Sequence, residues 1–346
     1  MTRWHFRPTP AKPRAPYSDE NAPLPYPTGW FMLAPSRDLR PGTVSTRRLM
    51  GEDVVLYRTR RGQARVIRPY CPHLGAHLGY GGRVDGELLV CPFHHFAFDT
   101  NGAVTRPGPG YTGQTLRNSL SVLPSQEANG AIFTWVGADP AQPPSWPLPD
   151  LLPAATPAAR FAHTELGTHP QEIMENGVDI GHIRALHGFT DSVMLGDPVP
   201  DGHTYSVALR FGRAFPPFGK VDAEVSLTLY GLGLSHVVLA DPRRRWQVDI
   251  LAGARPVSRW RTEFLVGVAM TLDATKSPLS RIPPRGTAAL ADALTWLNLL
   301  AVLADISRDR PVWRTKRYVS PPRLAHGDGP IGAYRKWAQQ FYPALP

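Results

Sequence analysis

"CPHLGAHLGYGGRVDGELLVCPFHH", Cys71 to His95, holds both cysteines of the 346-residue chain, each a short step from a histidine. The pattern is Cys71-x-His73, seventeen residues, then Cys91-x-x-His94. Because the chain spends all its cysteine in one stretch beside histidines, the spacing points to a metal centre. A disulfide could only join Cys71 to Cys91. Zinc fits poorly: both half-motifs lie on Gly/Pro loops, and no helix carries a histidine pair spaced as in a zinc finger. His95 is a rival to His94, but the C-x-x-H spacing selects His94. His77 and His95 read as loop or surface histidines.

Working outward, "TVSTRRLM", "DVVLYRT", "ARVIRPY", "LLVCPF" and "AIFTWVG" are short strands broken by turn residues, an all-β pattern over residues 29–139. Residues 1–28 read as an irregular arm. Residues 140–159 read as a linker, since Ala138–Ala159 carries seven prolines. A second domain then spans 160–346. In "VDAEVSLTLY", Val221, Ala223, Val225, Leu227 and Leu229 alternate, so one face of a strand is buried. "GTAALADALTWLNLLAVLADISRD" (Gly286–Asp309) predicts a helix with Leu290, Leu294, Leu297, Ala301 and Ala304 inward, Thr287 as N-cap and Pro311 as its stop.

The segment "QEIMENGVDIGHIRALHG" (Gln171–Gly188) has helical character and holds Asn176, Asp179, His182 and His187. On a helix Asp179 and His182 are one turn apart. His187 shares that face only if the helix ends nearby, which Gly188 permits. Two histidines plus a distant carboxylate make the facial triad of non-haem iron sites, which leaves open positions on the metal. The carboxylate candidates are Asp249, Asp273, Asp292, Asp305 and Asp309.

The net charge is +10, nearly all from arginine. A basic surface suits nucleic acid, anionic membrane or an acidic protein. With no long Lys/Arg block and no RNP-like motif, nucleic acid is not expected, and Arg243, Arg244 and Arg245 read as an exposed cluster for an acidic partner. The N-terminus has no apolar core of a signal peptide, and "ALTWLNLLAVLADI" (Ala293–Ile306) reads as too short to span a membrane. The expectation is a soluble cytoplasmic protein.

"CPHLGAHLG" and "CPFHHFAFDTNG" resemble the two cluster-binding loops of Rieske non-haem iron oxygenases, and N-x-x-D-x-x-H-x4-H resembles their catalytic motif. The likeness runs from about Trp30 to Tyr342. "GDGPIGAYRKWAQQFYP" (Gly327–Pro343) and "CPHLGAHLG" are most similar to the branch with 3-ketosteroid 9α-hydroxylase and the Rieske cholesterol 7-desaturases, and "DRPVWRTKRY" looks like the D-x-x-(I/V)-W segment that carries the iron ligand in steroid-active members. One departure is His95-Phe96, where the family usually has Gly-Trp.

The resemblance implies an α+β chain: an N-terminal all-β Rieske domain, then a helix-grip catalytic domain with an antiparallel sheet around a long helix. Leu294, Leu297 and Ala301 are expected to face its apolar pocket. It implies a [2Fe–2S] cluster with Cys71 and Cys91 on one iron and His73 and His94 on the other, a ligand mixture that raises the reduction potential. It also implies a mononuclear iron on His182, His187 and Asp309, with Asp305 as runner-up. Asn176 would sit near that iron. Asp179 would bridge a cluster histidine of one subunit to His182 of the next. The implied activity is hydroxylation or desaturation of a hydrophobic, polycyclic, steroid-like substrate by a homotrimer, using O2 and electrons from a separate ferredoxin or reductase. The alternatives are N-oxygenation or oxidative cyclisation of an aromatic metabolite, and a Rieske electron carrier with no oxygenase activity.

Overall fold

The computed structural model describes residues 16–343 apart from 113–117, 141, 153–158, 190, 216–218, 242–245 and 274–283. Residues 1–15 of the arm, part of the linker and Arg243–Arg245 therefore lie outside the described residues, as does the side chain of Val221.

The N-terminal half builds three small antiparallel sheets from the predicted strands and a few more. Gly29–Pro35 pairs with Ala131–Val136, which pairs with Ser125–Ala128. Val44–Leu49, Glu52–Arg58, Ala64–Ile67 and Val122–Leu123 form the second sheet. The third, from Arg83–Asp85 to Val104–Arg106, carries the loop that contains Cys91. Phe31, Val54, Leu56, Val66 and Ile132 are almost fully buried among these sheets.

The C-terminal half is one eight-stranded antiparallel sheet ordered Arg160–Leu166, Arg261–Leu272, Trp246–Ser258, Leu234–Ala240, Gly219–Tyr230, Thr204–Phe215 and Val193–Met194, with Val199–Asp201 pairing beside Thr204–Phe215. Alternation holds where it can be seen: Ala223, Val225, Leu227 and Leu229 are all buried. The outer face packs on the first N-terminal sheet, with Trp30, Met32 and Phe133 against Leu234, Leu251 and Leu265. Glycine is needed at this contact. A Cβ on Gly253 would lie 2.7 Å from Met32 Cβ, and one on Gly233 would lie 2.2 Å from the Trp30 carbonyl oxygen. The arm is docked too: Ala22 and Leu24 bury with Trp260, and Thr28 N donates to Phe341 O at 2.7 Å.

The 171–188 segment is two helices, not one: α1 (Pro170–Asn176) and α2 (Ile180–Ala185). Gly177 is a poor helix former. Asp179 then restarts the chain as N-cap, its Oδ1 accepting from His182 N at 2.8 Å.

The long helix, α3 (Pro284–Thr315), has 32 residues and differs from expectation in three ways. It begins before Thr287, so Thr287 is interior rather than a cap. It runs through Pro311. Proline removes the bond to the Ser307 carbonyl, but Ser307 is exposed, so water can take that acceptor. Its inward face is also turned: Ala291, Thr295 and Leu299 are buried, whereas Leu297 is 59% exposed and Ala301 and Ala304 are exposed. A helix apolar on nearly every side offers several equal faces to a period of 3.6. α3 is also longer than the apolar run suggested. An 18-residue window with mean hydropathy 1.6 makes it long and apolar enough, by length and composition, to cross a membrane. Here its buried side lies against the sheet. A short helix, α4 (Ile331–Ala338), closes the chain and buries Tyr334 and Trp337.

Candidate metal centres and active site

Both cysteines are free and buried. Cys71 sits in a tight loop, its N–H donating to Ala76 O at 2.9 Å, and Cys91 N donates to Phe96 O at 2.9 Å. His73 Nδ1 and His94 Nδ1 lie 3.2 Å apart, so two ring nitrogens address one point. His95 is exposed at φ 61° and takes no part in that meeting. His77 is held elsewhere, by Asp53 at 3.2 Å and by Gly79 N–H at 3.1 Å. A Cβ on Gly108 would overlap the His94 carbonyl oxygen at 1.6 Å, so this glycine lets the loops close. Burial pushes the Cys71 thiol up to about 11, with Cys91 adding to the rise. A thiolate pair this deep needs a cation beside it. Two sulfurs and two facing imidazole nitrogens are a donor set that fits an iron–sulfur cluster. Tyr70, Leu74, Tyr80, Phe93 and Tyr111 form an exposed apolar rim around this end.

The second site is built by α1, α2 and α3. His182 lies on α2, His187 just past its C-cap Leu186, and Asp309 near the end of α3. His182 Nε2 meets Asp309 Oδ1 at 2.7 Å, His187 Nε2 meets His182 Nε2 at 3.0 Å, and His187 Nε2 lies 3.5 Å from Asp309 Oδ2. Asn176 Nδ2 donates to Asp309 Oδ1 at 3.2 Å. Burial alone would lower the His187 pKa, but Asp305 and Asp309 overcome it and raise the ring to about 9. Burial likewise opposes ionisation of Asp309, and His182 and His187 overcome it, holding the carboxyl below its usual range. Two imidazoles and a carboxylate converging with Nε2 and Oδ atoms can hold a divalent iron.

The other carboxylate candidates fall elsewhere. Asp292 pairs with Arg160 at 2.6 Å, and Asp249 is bonded to His236 at 2.9 Å on the sheet. Asp305 lies 3.8 Å from His187 Nδ1, on the opposite side of the ring from Asp309. His182 Nδ1 is buried with no hydrogen-bond partner among the described residues.

Beside the three side chains opens an apolar cavity of about 320 Å³, walled by Leu209, Val225, Leu227, Val237 and Phe264 from the sheet and by Val302 and Ile306 from α3. The volume is in the range of small-molecule sites. The expectation for the helix side is corrected here: Val302, Ile306 and Trp313 line the cavity, not Leu294, Leu297 and Ala301. Two further contributions had no sequence signal. Arg335 of α4 holds Glu175 through 2.6 and 2.8 Å bonds, and Lys316 pairs with the fully buried Glu172 at 2.9 Å. These pairs fix α1, and with it Asn176.

Residues 29–114 match the Rieske [2Fe-2S] domain model, and residues 134–342 match the 3-ketosteroid 9alpha-hydroxylase C-terminal domain model. The chain belongs to the Rieske oxygenases. It is 30% identical to a cholesterol 7-desaturase of Bombyx mori over 328 residues, covering 92% of this chain and 70% of that one. It is 24% identical to the "Probable 3-ketosteroid-9-alpha-monooxygenase, oxygenase component" of Rhodococcus rhodochrous, covering 92% and 81%. Among solved structures, dicamba monooxygenase bound to dicamba superposes with a TM-score of 0.65 at 14% identity, covering 91% of this chain and 96% of that one. The QL mutant of NdmA of Pseudomonas putida CBB5 with theobromine gives 0.64 at 16%, covering 90% and 89%. These two share the fold. As a Rieske oxygenase, the protein carries a [2Fe–2S] cluster and a non-haem iron as cofactors.

Proposed function

We propose that this Rieske oxygenase hydroxylates or desaturates a polycyclic, steroid-like substrate. The observation that carries the reading is the convergence of His182, His187 and Asp309 at the wall of an almost wholly apolar cavity. The steroid class is supported by the named relatives, a cholesterol desaturase and a ketosteroid monooxygenase. Cys71, His73, Cys91 and His94 are the cluster residues, and His182, His187 and Asp309 the iron ligands. The two centres supply single electrons and activation of O2 next to a substrate C–H bond.

The chain's own residues do the rest. Asp305 faces His187 Nδ1 and biases that nitrogen to keep its proton, so Nε2 is left for the metal. The Asn176 amide steadies Asp309. The apolar walls exclude water and orient the ring system. Asp179 spends Oδ1 on the α2 cap, while Oδ2 has no hydrogen bond among the described residues. Oδ2 is therefore available to bridge a cluster histidine of a neighbouring subunit toward His182. We assign residues 29–139 to the Rieske domain and 160–346 to the catalytic domain, flanked by the arm 1–28 and the linker 140–159. Electrons come from a separate ferredoxin or reductase, the assembly is a homotrimer, and the setting is cytoplasmic.

The test is turnover. Iron-replete protein, a surrogate ferredoxin system and O2 are incubated with cholesterol or a ketosteroid, and products are weighed by mass spectrometry. A gain of one oxygen or a loss of two hydrogens is expected. Oxidation of an arylamine with steroids untouched would replace this reading with N-oxygenation, and loss of all oxidation with an intact cluster would leave an electron carrier.

A further inference from the structure

The polar lining of the cavity divides in two. Asn176, His182, His187, Asp305 and Asp309 belong to the iron end. What remains is Trp313 and Ser235. The Trp313 indole N–H is buried and has no partner among the described residues. Ser235 is different. It is 5% exposed, it lines the cavity, and its hydroxyl has no hydrogen bond among the described residues.

Its place on the sheet is defined. Ser235 stands on Leu234–Ala240, opposite Leu229 on one side and Ala252 on the other. On the same strand and the same face, Val237 and Leu239 pack with Ile180, Leu209 and Val225 beneath α2. Ser235 lies outside that cluster, beside Leu229 and Ala252 of the main core. It therefore sits toward the end of the cavity away from α2. Nothing in the fold requires a hydroxyl there: its neighbours in the wall are Leu, Val and Ala. A hydroxyl on the wall of an apolar cavity can give its hydrogen bond to an oxygen that a ligand brings in.

We propose that Ser235 is a specificity-determining residue: its Oγ hydrogen-bonds the single oxygen function, hydroxyl or carbonyl, of an otherwise hydrocarbon substrate and seats that end away from α2. The proposal rests on the steroid-like reading above. It adds that the substrate is recognised by one oxygen, since among the described residues the lining offers no second open polar anchor outside the iron end, so polyhydroxylated or charged analogues are disfavoured. A serine hydroxyl can both donate and accept, so it serves sterol and ketosteroid alike.

The test is equilibrium binding to the dioxygen-free holoenzyme, with three ligands delivered from cyclodextrin: cholesterol, the corresponding ketone, and the hydrocarbon lacking the oxygen. Wild type is expected to prefer either oxygenated ligand by about tenfold, the size of one buried hydrogen bond. Ser235→Ala should erase that preference while its affinity for the hydrocarbon stays as in wild type, and Ser235→Thr should restore it. A merely structural serine would shift all three affinities together. An unchanged preference in Ser235→Ala overturns the proposal and leaves the steroid reading standing. Failure of all three ligands to bind wild type overturns both.

Discussion

Asp305 and Asp309 lie one turn apart on α3, yet they face different nitrogens. Asp309 meets the Nε2 atoms of both histidines, and Asp305 approaches only Nδ1 of His187. Asp309→Ala should therefore abolish product formation, whereas Asp305→Ala should leave slow turnover, reduced about 10- to 100-fold as for other partners that orient a metal ligand. Steady-state rates at saturating substrate decide between them, and the reverse ranking would move the ligand by one turn. The same logic separates His94 from His95. Only His94 points at His73, so His94→Ala should bleach the cluster's absorbance and EPR signal, and His95→Ala should leave both. The histidine pair and the two cysteines stood out in the sequence because metal chemistry imposes spacing on residue types, whereas Asp309 was preferred to Asp305 only through the resemblance of its segment to the family's, and the structure groups it with His182 and His187. Ser235 was not: a serine in a strand carries no spacing signal, and only the cavity reveals it.

At the scale of elements, the α2 cap and the bridge proposed for Asp179 can be pulled apart. Asp179 caps α2 through Oδ1, and asparagine caps as well as aspartate. Asp179→Asn should keep the fold, both metals and the denaturation midpoint, yet lose product formation, because the bridge loses its charge. Asp179→Ala should also lose about 1 kcal/mol of stability with the cap, read from urea unfolding. A fully active Asp179→Asn protein would remove the bridge. α3 shows where sequence reading failed. The strands were legible because alternation has only two faces to choose between, whereas α3 is apolar nearly all round and its register had to come from packing. Leu299→Ala, at a fully buried position, should cost about 2–5 kcal/mol, and Leu297→Ser, on the exposed side, should stay within about 0.5 kcal/mol. The helical character of residues 171–188 was legible, but not its division into α1 and α2, because Gly177 and Asp179 suit a helix interior or an end and a cap alike.

At the scale of the whole molecule, the exposed apolar rim around His73 and His94 is the surface a neighbouring catalytic domain would cover. A head-to-tail contact between one Rieske end and the next subunit's Asp179 closes into a ring when the rotation permits. Light scattering should then give three chains per particle, and Tyr80→Glu with Phe93→Glu in the rim should shift the particle toward one chain and stop turnover while the cluster spectrum persists. A fully active single chain would exclude electron transfer between subunits. Whether His182, His187 and Asp309 hold the iron that does the chemistry is measured by iron per chain beside the cluster's EPR signal and steroid product, in wild type and Asp309→Ala. Wild type should carry about three irons, the two of the cluster plus one more. Asp309→Ala should keep the cluster's two and its signal and yield no product. A variant that retains the additional iron and still oxidises the steroid would contradict that assignment.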